Sequence, residues 1–470
     1  MIQWVYQKQE VTYMKNKQLL AGLLAGTMCV TLLMGCGGTD GGSSSAETQK
    51  ESETAVENSD DTEKDNSSGK KKVVLWTWAT GQFDEVQKKY FETHPDADWE
   101  FEEVVVPSED YLTKLQQGYA SGGDMPDLLM GEMTWRASAF SLDIWENLEE
   151  DPYNFDRSVL FDNVISQVSN EKGEVVGVEN AVNPAFLMYK RDLAKEYLGT
   201  DDPKELEGMF QSYDDYVTVG KEVYEKSGGK VHLFPGMQDV ANMMYMQQRD
   251  QNNVGDDGNL NVLSKVTPIF ETLQKMKENN VCGDLTMYST EWNNAFAGES
   301  AILFPGASWS VTFWVEAYDP DGSAKGNWGM CTPAGGGFSW GGTCYGIYKN
   351  SDVKEEAWDF ISWALLSEEG AQIMKEDSGF FLPVKSLYED PEYTSGVRTS
   401  FGNQEINKFM TEEIAPNIPP ASLSVYDKLV NDSVLMVAEM MGVDDSLTAD
   451  KALTEFKNDL GGKASDLEIE

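Results

Sequence analysis

Histidine is nearly missing from this chain, with two copies, His94 and His232, among 470 residues. His94 sits beside Pro95 at a helix end and His232 lies in a strand-like stretch, which argues against His-based triads and His-rich metal sites. Basic residues are also scarce: 36 Lys and Arg stand against 80 Asp and Glu, a formal charge of −44. That balance excludes nucleic acid, whose phosphates demand a basic face, and an electrostatic grip on anionic lipid. Five cysteines give no evident disulfide framework. No H-E-x-x-H, no G-x-S-x-G and no lysine-bearing phosphate loop occurs. No cofactor and no metal is expected. Long apolar runs are missing too, with one exception, Leu19–Met34, which falls short of the ~20 residues of a membrane-spanning helix.

That exception has a context. Lys15 and Lys17 precede it, and Gly35-Cys36 ends it, the charge-then-apolar order of a secretory signal. The sequence L-M-G-C resembles a lipobox, the cleavage site of bacterial lipoproteins. The resemblance implies that Cys36 is lipidated, becomes the mature N-terminus and anchors the protein at the extracellular face of the cell membrane. Residues 1–35 then form the signal, with Met14, next to the basic residues, as the expected start. Residues 36–70 are a lipidated cysteine and a Ser/Gly/Glu/Asp tether with too few apolar side chains for a core, expected to be disordered. A coil of that length reaches about 30–35 Å. Cys29 leaves with the signal. Cys331 and Cys344 flank Gly335–Gly337, which reads as a hairpin turn because aromatics follow it instead of a helix. The two thiols could pair.

From Lys71 the pattern changes. "KKVVLWTW" reads as a buried strand, and "FDEVQKKYFETHP" as an amphipathic helix with Phe83, Val86, Tyr90 and Phe91 on one side. "WEFEEVVV" is a second strand. "PSEDYLTKLQQGYASG" is a second helix, with Ser108 as N-cap, Leu112, Leu115 and Tyr119 as the stripe and Gly122 as the stop. "PDLLMG" is a third strand. Alternation of strand and helix predicts an α/β fold with a parallel sheet. Ligands then sit beyond the carboxyl ends of the strands, around Trp78–Gly81 and Gly131–Trp135. Ser264 reads as the cap of a helix bearing Val266, Phe270, Leu273 and Met276. A β-rich region follows over 301–348, then a helix from Asp352 to Leu366.

Four segments in this order resemble the extracellular solute-binding proteins of ABC importers, in particular the large sugar and oligosaccharide-binding family. They are "YLTKLQQGYASGGDMPDLLM", "GEVVGVENAVNPAFLMYKRDLAKEYL", "WNNAFAGESAILFPGASW" and "GGTCYGIYKNSDVKEEAWDFISWALLSEEGAQIM". The resemblance implies two α/β lobes joined by crossing strands, with ligand bound between them and a hinge motion on binding. Lobe one would combine residues 71–179 with 348–393, and lobe two 180–347 with 394–470. The protein would be a monomer, not an enzyme, that hands a captured sugar to the permease subunits of the transporter.

A sugar offers C–H faces that pack on aromatic rings and hydroxyls that need polar partners. The loops after the strands supply both. Trp309 in G-x-S-W matches the family's stacking tryptophan, and Trp340, Trp78 and Trp135 join it as candidates. Glu132 follows a strand end, and Asn180 and Asn183 lie on the first crossing. Gln82, Arg136, Asp239 and Tyr245 are further positions at the edge of the expected site. Trp76, Trp145, Trp358 and Trp363 are assigned to the core. Two other ligand or activity classes fit less well. A polyamine would suit so acidic a chain, and a glycoside hydrolase needs only two carboxylates. A surface adhesin would show repeats, and there are none.

Overall fold

The computed structural model describes residues 70–470 except 79 and 466. The expected signal, the Met14 start, Cys36 and the tether all lie outside the described residues. Strand β1 (Lys71–Thr77) buries Val73, Leu75 and Trp76. Helix α1 (Asp84–Thr93) turns Val86 and Tyr90 inward. The chain returns as β2 (Trp99–Val105), which pairs with β1 in parallel from Lys71↔Trp99 to Thr77↔Val105. Helix α2 (Ser108–Ser121) stops at Gly122, whose φ of 64° makes it a left-handed cap. Its buried pair is Tyr111 and Leu115, while Tyr119 is 45% exposed. The expected stripe ran one turn too far, because each i+4 step rotates the side chain about 40° off the buried face. Ser108 is the first helical residue and not the cap. Strand β3 (Leu128–Glu132), short helix α3 (Arg136–Phe140) and β4 (Val178–Glu179) complete the first stretch.

After β4 the chain leaves this sheet and builds a second. Strand β5 (Pro184–Lys190) is fully buried. Helix α4 (Met237–Met246) buries all ten of its residues, and α5 (Leu263–Glu278) carries Val266, Phe270, Leu273 and Met276 inward as expected. It begins at Leu263, so Ser264 lies within it and is not its cap. Strands β6 (Leu303–Ala307), β7 (Trp328–Cys331) and β8 (Phe338–Ser339) all run antiparallel to β5. Here Gly335–Gly337 departs from the expected hairpin. β7 meets β5 at Leu187↔Cys331 and β8 meets it at Ala185↔Phe338, so the chain bulges out at 332–337 and rejoins the same edge in the same direction. Gly335 and Gly336, at φ 84° and 92°, make the detour.

Strand β9 (Thr343–Ile347) then inserts between β3 and β4, antiparallel to both, and gives the first sheet its order β2-β1-β3-β9-β4. The sheet is therefore mixed; only β1, β2 and β3 show the parallel pairing expected. Because Thr343–Ile347 belongs to the first sheet, the return crossing lies just before it and not at Tyr348. This also settles the cysteines. Cys331 is on one sheet and Cys344 on the other, and Cys282, Cys331 and Cys344 are free and buried. Helix α6 (Lys354–Leu366) covers the first sheet with Ala357, Phe360, Ile361 and Ala364. Helix α7 (Asp427–Val443) packs behind α4 in the second lobe.

Candidate functional site

The two crossings run side by side. Asn180 N–H donates to Thr343 O at 3.0 Å, Thr343 N–H donates to Asn180 Oδ1 at 3.2 Å, and Trp340 N–H donates to Asn183 O. Three residues here have left-handed φ: Asn183 at 51°, Gly341 at 76° and Gly342 at 117°. Asn180 and Asn183 are 4% and 2% exposed, and Asn183 Nδ2 donates to Ala181 O. The structure thus places both asparagines in the crossings, each with one side-chain atom bonded to their backbone.

Arg136 has a similar fate. It is fully buried, with Nε donating to Gly131 O, Nη1 to Gln167 O and Nη2 to Gly342 O, and Nη1 also lies 2.6 Å from Glu179 Oε2. One guanidinium therefore ties the end of β3 to both crossings. Burial pushes the Glu179 carboxyl up, against the pull of Arg136.

The tryptophans gather in two groups, one at the carboxyl edge of each sheet. On the first lobe Trp78 meets Tyr111 edge-on at 5.5 Å and Trp135 at 6.1 Å, while Tyr111 and Trp135 stack at 5.4 Å. On the second, Trp309, Trp314 and Trp340 form a mutual cluster with centroids 4.6–5.8 Å apart. Trp309 Nε1 donates to Trp340 O at 3.0 Å, which fixes the plane of its ring. Trp78 and Trp309 are half-buried, and Trp135 and Trp340 are 5% and 6% exposed. Of the residues assigned to the core, Trp76 and Trp145 are 5% exposed, and Trp358 and Trp363 are only partly covered.

Tyr288 was not anticipated. It is 54% exposed yet packs on Trp292 and Trp314 at 5.8 and 5.9 Å. Desolvation pushes its hydroxyl up, the charges of Glu132 and Asp239 add to this, and Trp340 pulls the other way. Through Trp314, Tyr288 adjoins the Trp309–Trp314–Trp340 cluster. The one local signal, visible only in the backbone, is its φ of 68°, unusual for a bulky residue. Glu132 accepts at Oε2 from both the N–H and the hydroxyl of Thr134. Asp239, in the first turn of α4, is buried. It accepts from Trp292 Nε1 at 3.0 Å, and burial pushes its carboxyl up to about 7. Tyr245 is buried, and its hydroxyl accepts from Asn253 Nδ2. Gln82 Oε1 accepts from Tyr345, and its buried Nε2 has no hydrogen-bond partner. Among the described residues no group of three His, Cys, Asp or Glu is placed to hold a metal. A separate open recess of about 620 Å³ lies on the second lobe around Lys204, Glu207 and Glu413, whose charges pair with one another.

Two sheet-centred lobes, paired crossings with left-handed residues and an aromatic group at the strand ends of each sheet mark the two-lobe class of solute-binding proteins. A family model of bacterial extracellular solute-binding proteins matches residues 85–399, and the chain belongs to that family. The arabinooligosaccharide-binding protein of Halalkalibacterium halodurans is 24% identical over 384 residues, which cover 78% of this chain and 80% of that protein. A solved extracellular solute-binding protein of family 1 has a TM-score of 0.71 at 19% identity and covers 83% of this chain and 100% of its own. The sugar-binding protein MalE of Xanthomonas citri has a TM-score of 0.65 at 19% identity, covering 84% and 98%.

Proposed function

We infer that the protein captures a carbohydrate between its lobes and delivers it to the permease of an ABC importer, held at the extracellular membrane face by lipid on Cys36. The observation that carries the ligand class is the pairing of aromatic groups. Trp78 and Trp135 lie on one lobe and Trp309 and Trp340 on the other, with Tyr288 half exposed against Trp314 of the second group. Flat C–H faces of a sugar suit such rings. The similarity to arabinooligosaccharide- and sugar-binding proteins points the same way. Binding stabilises the closed arrangement, a population shift that the transporter reads.

Calorimetry against arabino- and malto-oligosaccharides, monosaccharides, amino acids and polyamines tests this. A saccharide binds, and Tyr288→Ala weakens it about tenfold, roughly 1.4 kcal/mol, while its melting temperature stays close to the parent's. Binding of polyamines alone overturns the ligand class, and cleavage of a bound saccharide overturns the binding-only reading.

A further inference from the structure

The two ends of α4 meet different surroundings. Its first turn carries Asp239, bonded by Trp292, on which Tyr288 packs. Its last residue, Met246, and Arg249 just beyond lie under an irregular segment, Ile418–Val425. The sequence of that segment, IPPASLSV, suits a stiff bridge, because Pro419 and Pro420 have fixed φ and no N–H to satisfy.

Both lobes hold it. From the first, Asn163 Nδ2 donates to Ile418 O at 3.3 Å and Ser138 Oγ donates to Val425 O at 3.2 Å. From the second, Ser422 N–H donates to Arg249 O at 2.7 Å, and Ser424 N–H donates to Asp427 Oδ2 at 3.0 Å. Asp427 is itself fixed by Arg249 and by Asn253, whose Oδ1 accepts from the buried Lys265. Ile418 and Ala421 are each 6% exposed. With Pro419 they face Met133 of the first lobe and Met246 and Ser339 of the second, around a void of about 10 Å³, room for one water at most. Met133 directly follows Glu132, and Ser339 directly precedes Trp340. The segment thus fills the space between the lobes right next to the aromatic site.

We propose that Ile418–Val425 is an end-stop that seals the cleft at the carboxyl end of α4, so that a bound chain abuts it with one terminus and cannot run through. This rests on the carbohydrate reading of the cleft. A ligand held between the Trp78–Trp135 and Trp309–Trp340 groups meets Ile418 and Pro419, beside Met133 and Ser339, with one terminus, and its other terminus projects to solvent.

Two measurements on the full chain test it. In ligand-free protein, hydrogen exchange at the Ser422 and Ser424 amides is at least about 100-fold slower than in an open loop, and Ser138→Ala/Asn163→Ala speeds it. Malto- and arabino-oligosaccharides carrying fluorescein at one terminus or the other are then compared by titration. A tag at one terminus weakens binding at least tenfold and a tag at the other less than twofold, and Pro419→Gly/Pro420→Gly narrows that difference. Free exchange across 418–425, or equal tolerance of both tags, overturns the end-stop. If the amides are protected and no saccharide binds, the carbohydrate reading fails and the seal between the lobes is supported.

Discussion

At Asp239 a single side chain makes stability depend on pH. Its carboxyl titrates near 4 in an unfolded chain and at about 7 in the fold, where burial outweighs the Trp292 hydrogen bond. Between those values the native chain holds a proton that the unfolded chain has lost. The contribution of this group to stability therefore falls as pH rises from about 4 to about 7 and is level on either side. Its full span is at most about 4 kcal/mol. Thermal melts of the parent and of Asp239→Asn from pH 3 to 9 check this. The difference between them moves in favour of the variant across that window, whereas a flat difference would show that the carboxyl is not perturbed. Asp239 was readable in the sequence as a position near the site, but its role was not. Only the packing of Trp292 against the first turn of α4 takes the carboxylate out of water.

At the level of the element, the crossings explain why certain residues stand where they do. Gly342 has φ 117°, and a Cβ there would lie 2.7 Å from both Asn183 Nδ2 and Glu179 Oε1. Gly342→Ala therefore combines backbone strain with a steric clash at the point where Arg136 ties the two strands. It is expected to cost about 1–3 kcal/mol in urea unfolding and to weaken ligand binding through the hinge. Gly336→Ala is the matched control. It has φ 92° but nothing within 4 Å of the added Cβ, so it reports the strain alone and leaves binding intact. Equal effects of the two on binding would remove the hinge from the argument. The motif "GGTCYG" was legible as a crossing. The guanidinium clasp was not, since Arg136 and Glu179 are distant in sequence, and an arginine after a strand end reads equally well as a ligand contact.

For the whole molecule, the proposed anchor and the binding unit are separable. Cys36→Ser is expected to move the protein from the membrane fraction to the medium, with its saccharide affinity unchanged. Fractionation and calorimetry of the secreted product check both halves. Retention on the membrane would remove Cys36 as the anchor, and loss of affinity would make the leader part of the binding unit. The binding unit itself needs no covalent staple. With its three described cysteines free, its cohesion comes from two buried sheets and the helices that cover them.

The sequence by itself determined the alternation of strands and helices, the family, and the four tryptophans that line up at strand ends. Those features are local: apolar periodicity, Gly stops, and aromatic residues just after buried runs. The tertiary structure decided what depends on residues far apart in the chain. It put β9 in the first sheet and turned the Gly335–Gly337 stretch into a bulge. It took Asn180, Asn183 and Arg136 into the crossings, and it packed Tyr288 on Trp292 and Trp314. The physical reason is the same in each case. A buried polar group takes whichever partner the packed fold brings to it, and that partner has no fixed spacing in sequence.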